Sequence, residues 1–330
     1  MMKNLMKLMI GMLMISLFVV SSCKKDDDPV SEPPKDKSFE TLKTYMIAQD
    51  MDLPKILDSW ITTADNVHTI MTDADPSNDF YIIDIRSAAD FATGHIEKSH
   101  SAALKDVLDT AANSGTMPII VVCYTGQTAS HAVVALRLSG YPNAKVMKWG
   151  MSGWNVNNDK WTPNVASIGV GNANWEAGPG NIATNINYGD PSLGEGDADG
   201  ATILKKQVKK MLDAGFQGIA SSTVLGAPGD YFINNFWDEA DVTHYGHIKG
   251  AFRIKPLSLK DKQYQYYNTK TTVVTYCWTG QTSSMVTAFM NVIGYKAKSL
   301  KFGTNSMIHS ELNSHKWDAT TQAKNFPLVQ

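Results

Sequence analysis

The sequence contains one series of short motifs twice, and this duplication constrains the fold more than any other feature. An apolar run leads into Cys-x-Thr-Gly-Gln-Thr at Cys123 and again at Cys277. Gly-His-Ile comes before each run, and Gly-Tyr and Lys-aromatic-Gly follow in the same order. Equivalent positions are 154 residues apart at the cysteines and 152 apart at His95 and His247. Such a near-constant offset indicates two copies of one domain, and a length of 330 residues suits about two domains.

Each copy has the sequence pattern of an α/β domain. The apolar runs 81–85 and 119–122 have the continuous hydrophobicity of strands buried on both faces of a parallel sheet. Residues 131–138 have apolar side chains at helical spacing, and Gly140 is a stop signal. The pattern predicts three segments: a first repeat over residues 40–160, a Gly- and Asn-rich linker over residues 161–200 and a second repeat over residues 201–325. Trp161 and Trp175 in the linker are expected to pack on a domain surface.

Composition and charge exclude several classes of protein. Hydrophobic residues make up 43% of the chain, which is typical of a globular protein. A net charge of −2 does not favour a nucleic-acid partner. Three cysteines are too few for a disulfide-stabilised fold, and the chain has no CxxC or HExxH motif. We therefore expect no metal site and no other cofactor.

The N-terminal residues have the features of an exported lipoprotein. Lys3 and Lys7 precede an apolar run over residues 8–20. This run is shorter than the ~20 residues that a helix needs to span a bilayer. Val-Ser-Ser-Cys23 resembles a bacterial lipobox, which implies removal of residues 1–22 as a signal peptide and acylation of Cys23. An ordinary signal peptide that happens to contain a cysteine is the alternative.

Residues 23–39 are polar and contain prolines, which predicts a flexible tether. Lysine directly after Cys23 resembles the pattern of lipoproteins sorted to the outer membrane. We therefore expect a lipid-anchored protein of the bacterial cell envelope, facing the periplasm or the cell surface. The lipid bilayer would be its partner through acylated Cys23.

Both later cysteines lie where a buried strand ends and a helix is about to begin, which is where open α/β sheets bind ligands. The residues after each cysteine are small, and glycine lets successive N–H groups converge on one point. The helix N-terminus adds partial positive charge there. This arrangement predicts a cysteine with a lowered pKa beside a cradle for an anionic group.

The ordered set Asp84-Ile-Arg86, Gly94-His-Ile96, the strand ending in Cys123 and the Trp149-Gly150 pair resembles a rhodanese domain, and the second copy matches in the same order. The resemblance implies a parallel five-stranded sheet flanked by helices in each copy. It also implies a sulfurtransferase whose cysteine carries sulfane sulfur as a persulfide. The donor would be a small molecule such as thiosulfate or 3-mercaptopyruvate, and the acceptor a thiol or cyanide.

The candidate catalytic residues are Cys123 and Cys277. The candidate substrate-binding residues come from the two loops, together with two arginines that could supply charge: Tyr124, Thr125, Gly126, Gln127, Thr128, Trp278, Thr279, Gly280, Gln281, Thr282, Arg86 and Arg253. Asp84, His95 and His247 are expected to support the structure. The second copy departs from the first, because the sequence places Asn234 and Phe236 at the positions of Asp84 and Arg86.

The same residues have other interpretations. A cysteine-based phosphatase needs an arginine six residues after the cysteine, but Ala129 and Ser283 occupy those positions. Either cysteine could instead be an inert core residue. A catalytically inactive lipoprotein that uses the same scaffold for binding remains the alternative function. We expect Cys123 and Cys277 not to form a disulfide, and the sequence does not indicate an oligomeric state.

Overall fold

The computed structural model describes residues 36–180, 186–196 and 198–330. The predicted signal peptide, Cys23 and the tether up to residue 35 lie outside the described residues. Within the described ranges, no helix has the length and apolar character needed to cross a membrane.

Helices and strands alternate along both repeats. The helices are α1 (Ser38–Ala48), α2 (Leu53–Ile56), α3 (Ala64–Thr72), α4 (Ala88–Thr93), α5 (Val107–Ala111), α6 (Gln127–Leu138), α7 (Met151–Trp154), α8 (Gly200–Asp213), α9 (Ser221–Gly226), α10 (Glu239–Tyr245), α11 (Gln281–Val292) and α12 (Ala319–Gln322). The strands are β1 (Ile61–Thr62), β2 (Tyr81–Asp84), β3 (His100–Ser101), β4 (Ile119–Val122), β5 (Lys145–Met147), β6 (Trp175–Glu176), β7 (Gly218–Ile219), β8 (Phe232–Asn235), β9 (His247–Ile248), β10 (Val273–Tyr276) and β11 (Ala297–Leu300).

The first repeat contains a parallel five-stranded sheet with the strand order β1-β5-β4-β2-β3. Its central strands β2 and β4 are the two predicted apolar runs, and every residue in them is buried. Helices cover both faces of the sheet, so the side chains on both faces of these strands are buried, and the strands do not alternate between exposed and buried residues. The predicted α/β fold is confirmed.

The second repeat contains a parallel sheet of four strands in the order β7-β11-β10-β8. The fifth strand that the resemblance implied is reduced to a single parallel bridge between Asn234 and Phe252, at the edge where β3 lies in the first repeat. One extra antiparallel pair, β6 with β9, joins the predicted linker to this repeat.

Strand pairing also corrects the alignment of the two repeats by one residue. Asp84 pairs with Val122, directly before Cys123, whereas Asn235 pairs with Tyr276, directly before Cys277. The structural equivalent of Asp84 is therefore Asn235, and that of Arg86 is Trp237. The predicted equivalents Asn234 and Phe236 are wrong, because each lies one position earlier and its side chain points to the opposite face of the sheet.

The two repeats share one hydrophobic core through α6 and α11, which pack against each other. Both helices are almost entirely buried, and small or apolar residues cover nearly their whole circumference. A helix that is apolar all round is stable only inside a protein. The helix that follows each cysteine therefore also forms the contact between the repeats.

Chain segments cross between the repeats at both ends. In the N-terminal part, α1 packs on α8, and the Asp52 carboxylate accepts a hydrogen bond from Leu259 N at 2.8 Å. In the C-terminal part, His95 and Val329 exchange backbone hydrogen bonds of 2.9 Å. The predicted linker is not a free segment, because Trp161 has no exposed surface and Trp175 Nε1 donates to Tyr245 O at 2.9 Å. The expected packing of both tryptophans is confirmed.

Candidate active site

The first candidate site is built by loop 1, residues 123–128, between β4 and α6. Gly126 adopts a left-handed conformation with φ of 80°, which turns the backbone back toward the cysteine. Gly126 N donates to Cys123 Sγ at 3.1 Å, and Ala129 N donates to it at 3.4 Å. The thiol therefore lies at the N-terminus of α6 and receives converging N–H groups, as the sequence predicted.

Loop 2, residues 277–282, repeats this geometry between β10 and α11. Gly280 has a φ of 75°, and Ser283 N donates to Cys277 Sγ at 3.3 Å. Ser283 Oγ lies 3.6 Å from the same sulfur and 2.8 Å from Ser299 Oγ. The second site thus has a hydroxyl where the first has the methyl group of Ala129, and Ser283 was not among the predicted binding residues.

A glycine from the following strand end supports each loop. Gly150 has a φ of 62°, and a Cβ atom there would overlap Cys123 O. Gly303 has a φ of 54°, and a Cβ atom there would overlap Cys277 O. These contacts explain the Lys-aromatic-Gly motif, because only glycine lets the strand end approach the back of the loop this closely.

The predicted lowering of the pKa is wrong for Cys123. Burial raises the pKa of the Cys123 thiol, and the N–H groups of loop 1 and Ala129 oppose this shift without overcoming it. Desolvation penalises the thiolate more than the surrounding amides stabilise it. The thiol is therefore held mainly in its neutral form in this conformation.

Arg86 does not occupy the predicted substrate-binding position. Its side chain has no exposed surface, and Nη2 contacts Asp84 Oδ2 at 2.6 Å and donates to Gly94 O at 2.8 Å. Arg86 Cζ lies 5.2 Å from the centroid of the Tyr124 ring, next to Cys123 in the chain. The arginine thus holds Tyr124 and the turn at Gly94 in place, and Asp84 has the expected supporting position.

The second repeat replaces this ion pair with an uncharged pair. Asn235 and Trp237 are buried, and neither the Asn235 amide nor Trp237 Nε1 has a hydrogen-bond partner. The Trp237 ring lies 4.2 Å from the ring of Trp278, as Arg86 lies over Tyr124 in the first repeat. The loss of charge expected for the second repeat is confirmed, with Trp237 in place of Phe236 at the arginine position.

Two predicted histidines contact the backbone, and the second predicted arginine forms an ion pair. His95 Nδ1 lies 3.0 Å from Phe91 O and His247 Nδ1 lies 3.0 Å from Ile248 O, so both histidines make the expected backbone contacts. Arg253 pairs with Glu239 at 3.4 Å. Its contact with a substrate stays a prediction.

A lysine that the sequence analysis missed lies beside loop 1. Lys160 is exposed, and its Nζ lies 5.3 Å from the centroid of the Tyr124 ring. It is remote from Cys123 in the chain, so no local motif marks it. Lys160 is a cation on the exposed side of the loop, where Arg86 was expected to act.

Gln127 and Gln281 were predicted to bind substrate, but their side chains bridge the repeats. Gln281 Nε2 donates to Thr125 O at 3.2 Å, and Phe302 N donates to Gln127 Oε1 at 2.7 Å. An aromatic cluster packs against this bridge, formed by Trp149, Trp161, Phe302 and Trp317. The two loops therefore face one shared region of the protein.

The model of the rhodanese-like domain family matches residues 63–157 and 230–308, just over half of the chain. The chain belongs to the rhodanese-like family. Its two matches confirm tandem rhodanese-like domains, and each contains one of the cysteine loops described above. No curated protein matches the chain.

Three similar solved structures each cover less than a third of this chain. A rhodanese-like domain protein from Staphylococcus aureus is 21% identical, with 29% of this chain and 91% of that chain covered and a TM-score of 0.26. A protein from Staphylococcus saprophyticus is 19% identical over 31% and 96% of the two chains, with a TM-score of 0.27. A rhodanese-related protein from Thermoplasma volcanium is 17% identical over 29% and 89%, with a TM-score of 0.25.

Both Cys123 and Cys277 are free thiols. Across the described part of the chain, no group of three or more His, Cys, Asp and Glu side chains is arranged to hold a metal ion.

Proposed function

We propose that this protein is a sulfurtransferase that carries sulfane sulfur as a cysteine persulfide. The observation that supports the proposal is the pair of N–H groups, from Gly126 and Ala129, that point at Cys123 Sγ at the N-terminus of a helix. The N–H groups of loop 1 and Ala129 converge at this point, so they can also stabilise the outer sulfur of a persulfide, which carries its negative charge.

The transfer proceeds in two displacements. The cysteine thiol first loses its proton to solvent, and the thiolate attacks the outer sulfur of thiosulfate. The S–S bond of the donor breaks, and sulfite leaves with the bonding electron pair. With 3-mercaptopyruvate the C–S bond breaks instead, and the pyruvate enolate takes up a proton. A thiolate or cyanide then attacks the outer sulfur of the persulfide, and the cysteine thiolate leaves.

An anionic donor is proposed for the first domain. Loop 1 itself carries no cation, and Arg86 is committed to Asp84. Exposed Lys160 beside Tyr124 supplies positive charge at the surface of the loop. A lysine acts as a point charge, which suits a small sulfonate or carboxylate without a bidentate contact.

The test measures thiocyanate formation from cyanide with thiosulfate or 3-mercaptopyruvate as donor. We expect Cys123→Ser to remove the larger share of activity and Cys277→Ser to remove the smaller share. Since burial raises the pKa of Cys123, the rate of sulfur loading on Cys123, followed by mass before any acceptor is added, should rise with pH from pH 7 to pH 9. Lys160→Met should raise KM for the anionic donor, with exposed Lys249→Met as the control. Full activity in the double cysteine variant would refute the proposal.

A binding function without catalysis is the second candidate, and the second domain favours it. Asn235 and Trp237 replace the buried ion pair of the first domain, and the polar atoms of both side chains lack hydrogen-bond partners. The residue after the cysteine, Trp278, therefore packs on an uncharged ring and not on a guanidinium group. If neither donor loads sulfur on either cysteine, the scaffold serves recognition.

We also propose that the protein is anchored in the bacterial envelope by acyl chains on Cys23, with a location at the outer membrane. The sequence resemblance of Val-Ser-Ser-Cys23 to a lipobox supports this. Metabolic labelling with palmitate should mark the wild-type chain and not Cys23→Ala. Equal labelling of Cys123→Ser and wild type serves as the control, and label retained in Cys23→Ala would contradict the anchor.

A further inference from the structure

Two glutamines cross between the domains at equivalent positions. Gln127 and Gln281 each follow the loop glycine and are the first residues of α6 and α11. One end of each side-chain amide holds its own loop, because Gln127 Nε2 donates to Thr125 Oγ1 at 3.1 Å and Gln281 Oε1 accepts from Thr279 Oγ1 at 3.3 Å. The other end of each amide reaches the opposite domain, where Gln281 Nε2 meets Thr125 O and Gln127 Oε1 meets Phe302 N. Both are almost completely buried, with 3% and 1% of their surface exposed.

Each glutamine amide lies directly on the loop glycine of the opposite domain. A Cβ atom on Gly126 would overlap Gln281 Nε2, and a Cβ atom on Gly280 would lie 2.5 Å from Gln127 Oε1. Gly126 is also the residue whose N–H points at Cys123 Sγ. The amide from the second domain therefore covers the outer side of the turn that holds the first thiol.

Gln127 contacts loop 2 partly through the neighbouring segment 302–304, which packs against the back of that loop. Phe302 N donates to Gln127, and the next residue, Gly303, packs against the back of loop 2. Thr304 N then donates to Cys277 O at 3.0 Å. Gln127 thus contacts both Gly280 and the segment that fixes the cysteine backbone.

We propose that Gln127 and Gln281 are positioning residues that act as reciprocal covers, so that the reactivity of each thiol is set by a glutamine of the opposite domain. Removing a cover opens polar space beside the opposite loop glycine. Water then reaches the buried thiol, which favours the thiolate and admits a reagent. This inference concerns the reactivity of the two thiols and does not depend on sulfur transfer.

The test compares alkylation of the two cysteines in the folded full chain. Iodoacetamide is added for set times, and peptide mass spectrometry follows Cys123 and Cys277 separately. The variants are Gln281→Ala and Gln127→Ala. The control is Gln207→Ala, because Gln207 is equally buried and hydrogen-bonded, to Glu195, but lies in α8.

A crossed pattern is expected. Gln281→Ala should raise the rate at Cys123 about tenfold, as a shift of one pKa unit would, and change Cys277 less. Gln127→Ala should do the reverse, and Gln207→Ala should change neither. Equal acceleration of both cysteines, acceleration confined to the cysteine of the same domain, or unchanged rates would each overturn the inference.

A conservative variant keeps the test usable if an alanine variant does not fold. Gln281→Asn retains the amide but is one methylene shorter, so it withdraws the cover from Gly126 with less loss of packing. It should accelerate Cys123 by an intermediate factor and lower the melting temperature less than Gln281→Ala does. No acceleration in a folded Gln281→Asn variant, together with an unfolded alanine variant, would assign these glutamines to stability alone.

Discussion

His131 lies inside the contact between α6 and α11, and its burial makes the stability of the protein depend on pH. The side chain has no exposed surface, and Nδ1 lies 3.1 Å from Ser284 O in the other domain. The Phe216 ring meets it edge-on, with ring centroids 5.5 Å apart. Burial lowers the pKa of His131 from 6.5 to about 4, because the hydrogen bond to Ser284 O offsets only part of the desolvation.

The sign and size of the effect follow from proton linkage. Between pH 6.5 and pH 4, the unfolded chain binds a proton at His131 that the folded chain does not bind. The stability contributed by the neutral imidazole is therefore complete above pH 6.5 and is lost as the pH falls toward 4. The limiting slope is about 1.4 kcal/mol per pH unit, and the whole loss is about 3 kcal/mol.

Urea unfolding of wild type and His131→Gln at pH 7 and pH 5 measures this effect. Glutamine keeps a donor for the Ser284 carbonyl and does not titrate. The free energy of unfolding of wild type should fall by about 2 kcal/mol more than that of the variant between the two pH values. His244→Gln, at an exposed histidine, should behave as wild type. Parallel pH curves for wild type and His131→Gln would refute the reasoning.

Further substitutions test the architecture of the sites by urea unfolding. Gly150→Ala should lower the free energy of unfolding by at least about 1 kcal/mol more than the control Gly140→Ala. Both glycines have positive φ, but only Gly150 contacts loop 1. Equal losses in the two variants would contradict this. Arg86→Met should cost about 3–5 kcal/mol by leaving the Asp84 carboxylate buried without its partner. The double change Asp84→Asn with Arg86→Trp, which copies the second domain, should recover part of that loss, and no recovery would count against the proposed equivalence. Trp161→Ala should cost about 3–5 kcal/mol, and a loss below 1 kcal/mol would show that the aromatic cluster adds little.

Much of the fold could be predicted because the duplication shows the same strand and helix signals twice. The runs that became β2 and β4 are apolar throughout, which identifies central strands of a covered sheet. Strand register could not be predicted. The interval before Gly-His-Ile differs between the copies, and only the pairing of Asn235 with Tyr276 shows which residue replaces Asp84. The fifth strand of the second sheet is reduced to a single bridge at Phe252, and one paired residue produces no strand pattern in the sequence.

The cysteine loops could also be predicted, since glycine and small residues after a strand are a local signal. The pKa of Cys123 could not, because it depends on how completely the folded protein buries the thiol. The crossing of Gln127 and Gln281 is equally non-local: each side chain finds its partner more than 150 residues away in the chain. Lys160 approaches Tyr124 only through folding.

Intact mass spectrometry of the purified chain after incubation with thiosulfate or 3-mercaptopyruvate detects the proposed cysteine persulfide itself. We expect a gain of about 32 Da, one sulfur atom, that a reducing thiol removes. The gain should persist in Cys277→Ser and be absent from the variant in which both Cys123 and Cys277 are serine. No gain in the wild-type chain with either donor, or an equal gain in the variant without these cysteines, would contradict the account.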